Sequence, residues 1–257
     1  IIALSATIAN ANQLKSWINQ VHGPTQLINS DIRPVPLDFI FCSAKGFHPL
    51  LNKKKNGIHP NCKVWRSPKG QKNKVKVGRL VQPKSPSISF VISRLFDQNM
   101  LPAIYFIFSR KGCDRALENI NHLTLVNYKE ANLISQRLKQ YSKYNQEGIR
   151  DNILFDALKK GIASHHAGLL PAWKELVEEL FQQGLIKVVF ATETLAAGIN
   201  MPARTTVISS LSKRSENGHR LLYSSEFLQM SGRAGRRGKD TQGYVVTVQN
   251  RFEGAKE

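Results

Sequence analysis

Ala103-Ile104-Tyr105-Phe106-Ile107-Phe108 contains no charged residue and no alternation of apolar with polar side chains. A strand with one wet face alternates. A strand covered by helices on both faces reads as a continuous apolar run. The stretch therefore predicts a buried strand of a parallel sheet. The surrounding sequence fits that reading. Residues 88–96 have helical apolar spacing, and further helices are expected at 115–123, 128–144 and 172–182. Short segments at 162–165, 187–191, 205–209 and 244–248 read as further strands, with 187–191 buried. Strands alternating with helices imply an α/β fold with a doubly wound parallel sheet. Ligands of such sheets gather beyond the carboxyl ends of the strands, and the polar motifs are expected there.

The chain has 257 residues, 41% of them hydrophobic, enough for a packed core. It carries 37 Lys and Arg against 18 Asp and Glu, a formal charge of +19. That excess predicts a polyanionic partner, with nucleic acid foremost. Cys42, Cys62 and Cys113 form no CxxC pair, and their odd count argues against a disulfide framework. Neither Cys42 and Cys62 nor the neighbouring His48 and His59 match a zinc-binding spacing, so no metal ligand is assigned. No apolar run reaches membrane-spanning length, and no signal peptide is recognised. Both ends read as cuts through a longer protein.

Residues 1–42 read as the edge of a preceding domain. They comprise a short apolar strand at 1–4, a helix at 12–21, the stiff connector Arg33-Pro34-Val35-Pro36 and a strand at 37–41. Residues 43–85 read as a basic insertion. Within it, 52–84 hold eleven Lys and Arg and no acidic residue. That composition suits RNA contact and a solvated loop equally well. The α/β pattern then occupies 86–257.

Gln229-Met230-Ser231-Gly232-Arg233-Ala234-Gly235-Arg236-Arg237-Gly238 interleaves arginines with glycines after a helical lead-in at 226–228. Arg233 and Arg236 are three positions apart, so a helical turn would put both guanidiniums on one face. Two planar forks on one face suit the oxygens of a triphosphate.

This string resembles motif VI of superfamily-two helicases, in the form typical of superkiller-type DExH RNA helicases. Leu4-Ser5-Ala6-Thr7 resembles motif III, and Phe106-Ile107-Phe108-Ser109-Arg110-Lys111 resembles motif IV. Ser164-His165-His166-Ala167-Gly168-Leu169 resembles the adjoining HHAGL element. Ala191-Thr192-Glu193-Thr194-Leu195-Ala196-Ala197-Gly198-Ile199-Asn200-Met201-Pro202 resembles motif V. The resemblance implies a RecA-like second helicase lobe, preceded by the tail of a first lobe. Gln20-Val21-His22-Gly23-Pro24 and Arg33-Pro34-Val35-Pro36 look most like cyanobacterial and chloroplast members, which implies a bacterial cytoplasm or a chloroplast.

The resemblance also implies roles. Arg236 matches the arginine finger that reaches the γ-phosphate, Arg233 its companion on the phosphates, and Gln229 the residue that orients the attacking water. Gly198 and Asn200 match positions near the nucleotide. Ser109, Arg110 and Thr192 match positions that hold the RNA sugar-phosphate backbone, without reading bases. Ser5, Ala6 and Thr7 match the element that couples the two lobes. The cofactors implied are ATP and magnesium. The partners implied are RNA and the upstream RecA-like lobe of the same protein, with no membrane.

No G-x-x-x-x-G-K-[ST] string and no DExH or DExD string occurs, so the phosphate loop and the magnesium carboxylates are expected upstream. An ATP-dependent RNA helicase, inactive as this piece alone, is the expected function. Alternatives are a non-hydrolysing RNA-binding module and a DNA helicase of the related archaeal repair type. Between motifs V and VI, Asn217-Gly218 signals a hairpin turn, where processive relatives carry a duplex-splitting wedge.

Overall fold

A computed structural model describes residues 2, 10–30, 32–52, 54, 57–62, 85–120, 122–144, 152–197, 200–215 and 218–250. Seven strands form the main sheet: β1 (Leu37–Ser43), β2 (Gly46–Pro49), β3 (Ala103–Phe106), β4 (Ile162–His165), β5 (Val188–Ala191), β6 (Thr205–Ile208) and β9 (Gly243–Val248). Their order is β2-β1-β9-β6-β3-β5-β4. All neighbours are parallel except β2, which folds back on β1. A separate hairpin pairs β7 (Ser212–Ser215) with β8 (Gly218–Leu221). The α/β, RecA-like doubly wound sheet expected from the sequence is present.

The continuous apolar strands are explained by two cores. Ile104 and Phe106 of β3 enter one, and Ala103 and Tyr105 enter the other. Val189 and Ala191 of β5 share the first core, while Val188 and Phe190 share the second. One face is covered by α4 (Tyr128–Tyr144), α5 (Asn152–Lys159) and α6 (Pro171–Gln182). The other is covered by α2 (Ile88–Asp97) and α3 (Arg110–Asn119). On α6, Trp173, Leu176, Val177, Leu180 and Phe181 are buried, the spacing of one helical face. The Trp173 ring takes edge contacts from Tyr141 and Phe155 at 5.7 and 5.5 Å. Asn127 and Glu130 cap α4 reciprocally, each accepting the other's backbone N–H at 2.9–3.0 Å.

The structure departs from the sequence reading in four places. The strand expected to end the preceding domain is β1, which pairs in parallel with β9 from Leu37↔Gly243 to Cys42↔Val248. A boundary at residue 42 would cut this sheet. Part of the expected insertion is also folded: β2 lies on β1, and the buried Cys62 thiol donates to the Pro49 carbonyl at 3.3 Å. Residues 63–84 lie outside the described residues, as do the strand expected at 1–4 (all but Ile2) and Glu216-Asn217 of the hairpin. Gly218 begins β8, paired with Ser215, with φ +101°.

The other two departures concern the arginine string. A helical turn does not join Arg233 to Arg236. Helix α7 (Ser224–Ser231) ends before them, Ala234 forms a parallel bridge with Ala203, and Gly235 takes φ +79°. A Cβ on Gly235 would also lie 2.7 Å from Val35 Cγ1, so the turn depends on glycine. Finally, the string does not lie beyond the strands' carboxyl ends. Ala203 precedes β6 and Gly238 precedes β9, so it lies at their amino ends. Helix α7 follows the hairpin and returns the chain across the sheet.

Candidate functional site

Two polar clusters result, one at each end of the sheet. At the carboxyl end, β3 delivers Ser109 and Arg110 to the start of α3. The Ser109 hydroxyl accepts the Gly112 N–H at 2.9 Å, which caps the helix. A Cβ on Gly112 would lie 2.7 Å from both Ser109 Oγ and Ile107 Cγ2, so glycine is needed for this close approach. The first turn holds Arg110 and Lys111 and no acid. Cations at a helix N-terminus oppose the helix dipole, an arrangement that suits an incoming anion.

Beside it, β4 ends in the buried His165, and the buried His166 follows it. His165 Nε2 meets Glu178 of α6 at 2.8 Å. His166 Nδ1 accepts the Gly168 N–H at 3.2 Å, so its Nε2 carries the proton and donates to Asp114 of α3 at 2.9 Å. Both histidines brace helices against the strand end. Thr192 follows β5, its hydroxyl 2.9 Å from that of Thr194. The Thr192 carbonyl accepts the Leu195 N–H and opens the 3-10 turn Glu193–Ala197.

A network of charges connects this region to α7. Lys213 Nζ of β7 contacts Glu193 at 2.5 Å and Glu226 at 2.7 Å. Arg220 of β8 grips both Glu226 oxygens at 2.6 and 2.9 Å and stacks over Tyr223. The Arg220 hydrogen bonds, with help from Lys213 and the Tyr223 N–H, outweigh burial and draw the Glu226 carboxyl down to about 2. Glu226 ties the hairpin to α7, and Lys213 extends the tie to the turn after β5.

At the amino end, every arginine of the loop except Arg237 is tied down. Arg233 donates through Nε and Nη2 to the Ala196 carbonyl at 3.1 and 2.5 Å. Burial lowers its pKa from the usual arginine value. Arg236 donates through Nε and Nη2 to the two oxygens of Asp240, each at 2.8 Å. Arg33 of the connector donates to the Val35 carbonyl at 2.9 Å and to the Ala234 carbonyl at 2.5 Å, with a weaker reach to that of Gly232. The connector therefore grips the backbone of the loop directly.

The structure brings Ser109, Arg110 and Thr192 to one end of the sheet. Arg233 and Arg236 share a loop but face different acceptors. Gln229 is exposed on α7 in the turn before that loop. Asn200 is exposed, and its carbonyl accepts from Gln182 at 3.2 Å. Gly198, Ser5, Ala6 and Thr7 lie outside the described residues. The sequence reading missed Asp240, Arg204, Arg33 and Glu226. A signal existed for one of them: Asp240 stands four residues after Arg236.

Residues 115–238 match the family of the helicase conserved C-terminal domain. The whole chain is 42% identical over 295 aligned residues to the chloroplastic DExH-box ATP-dependent RNA helicase DExH15 of Arabidopsis thaliana. Over 96% of its length it is 37% identical to the probable helicase HelY of Mycobacterium tuberculosis and 36% identical to the human exosome RNA helicase MTR4. The chain spans 25%, 30% and 25% of those relatives, respectively. With its RecA-like sheet and its ordered motifs, the chain belongs to the superfamily-two DExH helicases of the superkiller type.

Proposed function

We propose that this chain is the second RecA-like lobe of an ATP-dependent RNA helicase, supplying the arginine half of the ATP site and part of the RNA backbone track. Residues 10–36 would then be the end of a first lobe, and 37–43 a strand lent to the second. The arginine loop supports this best. Arg233 and Arg236 are held by a carbonyl and a buried carboxylate, with the exposed Gln229 nearby. Guanidinium and amide groups suit phosphate oxygens, so the residues present fit a nucleoside triphosphate. Magnesium would be held by carboxylates of the first lobe and would supply charge neutralisation to the phosphates.

Phosphoryl transfer asks little covalent chemistry of a protein; it asks for positioning and charge neutralisation. Arg236 would meet the γ-phosphate from the second lobe, so turnover would depend on closure of the two lobes. Ser109, Arg110 and Thr192 would hold RNA phosphates, and the β7–β8 hairpin would serve as a wedge that splits the duplex. The chloroplastic relative and the bacterial one favour a plastid or a bacterial cytoplasm as the compartment.

In the protein with its first lobe present, Arg236→Ala should lower RNA-stimulated ATP hydrolysis by roughly 10³- to 10⁵-fold while RNA affinity is kept. Arg236→Lys should fail as well, since a point charge does not replace the fork. Turnover near the parent level in the alanine variant would remove Arg236 from this role.

A further inference from the structure

Asp240 is not part of any motif quoted above, yet it organises the arginine loop. Its side chain is 1% exposed. Oδ2 accepts the Arg236 backbone N–H at 2.9 Å and the Arg236 Nε at 2.8 Å. Oδ1 accepts Arg236 Nη2 at 2.8 Å and Arg204 Nε at 2.9 Å. Arg204 in turn donates through Nη1 to the Asn99 carbonyl at 2.6 Å, just before β3. A continuous polar chain thus links Arg236 to the base of the sheet. Burial opposes charge on Asp240. The hydrogen bonds from Arg236 and then Arg204 outweigh it and hold the carboxyl well below the usual carboxylate range.

Two features show what this arrangement does. First, it uses one edge of the guanidinium only. Nε and Nη2 are taken, and no described hydrogen bond uses Nη1, which keeps its N–H donors for another acceptor. Second, a buried ion pair is a weak source of stability compared with apolar packing. Orientation accounts for the carboxylate better. An arginine otherwise samples many rotamers, and the fork-to-fork pair removes most of that freedom before any ligand arrives.

We propose that Asp240, anchored by Arg204, is a positioning residue that presents the free Nη1 edge of Arg236 to the nucleotide. The proposal rests on reading Arg236 as the arginine finger. The test is RNA-stimulated ATP hydrolysis by the protein with both lobes, comparing parent, Asp240→Asn, Arg236→Ala and the double variant. Asp240→Asn should lower kcat by roughly 10- to 100-fold, the scale on which small misplacements of a reacting group act, with KM for ATP changed far less. In the Arg236→Ala background Asp240→Asn should have no further effect on kcat. Unchanged or raised kcat in Asp240→Asn would overturn the proposal, the raised value marking Asp240 as a restraint. Two independent, multiplying effects would overturn it too. If Asp240→Asn does not fold, Arg204→Gln replaces it: the Asp240–Arg236 pair stays, its anchor goes, and kcat should drop a few-fold. Parent-like kcat there would count against the proposal equally. A parent-like rate in Arg236→Ala would instead defeat the arginine-finger reading, a separate outcome.

Discussion

The two ends of the sheet hold their cations in opposite ways. At the carboxyl end, Arg110 is exposed and donates to no acceptor among the described residues, while Ser109, His165 and His166 are spent on capping and bracing. At the amino end, Arg33, Arg204, Arg233 and Arg236 each have an acceptor within 3.1 Å. The difference suits the ligands proposed for each end. A polymer that slides past is served by charges that can follow it. A single reacting phosphate is served by a donor fixed in advance, because only a correctly placed dipole stabilises a transition state.

The sharpest break of this comparison is to remove the partner lobe. The purified 257-residue chain should show no ATP turnover with or without RNA, since fixed arginines alone cannot hold a nucleotide and its metal. Measurable RNA-stimulated hydrolysis by this chain, free of contaminating helicase, would mean that the amino-end loop is not half of a shared site.

Loosening the fixed end comes next. Gly235→Ala forces a side chain into a left-handed conformation and against Val35, and should cost about 2–4 kcal/mol in chemical denaturation. Turnover of the two-lobed protein should fall with it, although no donor has been removed. A parent-like unfolding midpoint would show that the loop tolerates other shapes and is not rigid.

The loose end should respond in affinity rather than in rate. Arg110→Ala should weaken single-stranded RNA binding and reduce the slope of log affinity against log salt by about 0.7, the value of one phosphate contact. Turnover at saturating RNA should stay close to the parent. A large loss of kcat with unchanged affinity would exchange the roles of the two ends.

The smallest effect concerns the hairpin network between them. Glu226 titrates near 2 in the folded chain against an ordinary 4.5, so its carboxylate stabilises the fold above pH 4.5. That stabilisation is lost as pH falls from 4.5 toward 2. Glu226→Gln keeps the cap on α7 but not the charge. The melting temperature gap between parent and variant should be widest near neutral pH and close below 4.5. A gap independent of pH would assign the stabilisation to the cap alone.

The strands and helices were legible because burial on both faces leaves a plain mark: uninterrupted apolar runs at 103–108 and 188–191 can be little else. Helix 128–144 was legible from its helical apolar spacing, and its start agrees with the Asn127–Glu130 cap that the structure shows. Short or locally ambiguous elements were not. Helix α5 has eight residues, and β2 contains Gly46 and Pro49. The motif residues stood out by type, but their acceptors did not. Asp240 and Arg204 are 36 positions apart, and Arg33 reaches Ala234 across 201. No local pattern encodes a contact that chain folding alone creates. The one-face picture of Arg233 and Arg236 failed for the same reason: helical spacing was assumed where Gly235 and the Ala203 bridge set a different path.

The parallel pairing of β1 with β9 has a consequence during synthesis. Ile40 and Thr247, joined across these strands, are 207 residues apart. A ribosome adding about 5–20 residues per second makes that an interval of roughly 10–40 seconds. Through it, one long edge of β1 has no permanent partner, and bare strand edges invite aggregation. The fold supplies a local companion at once: β2 turns back through Gly46 and covers the other edge within a few residues. A nascent chain thus waits as a small hairpin, with one edge open to a chaperone, until β9 arrives beside it.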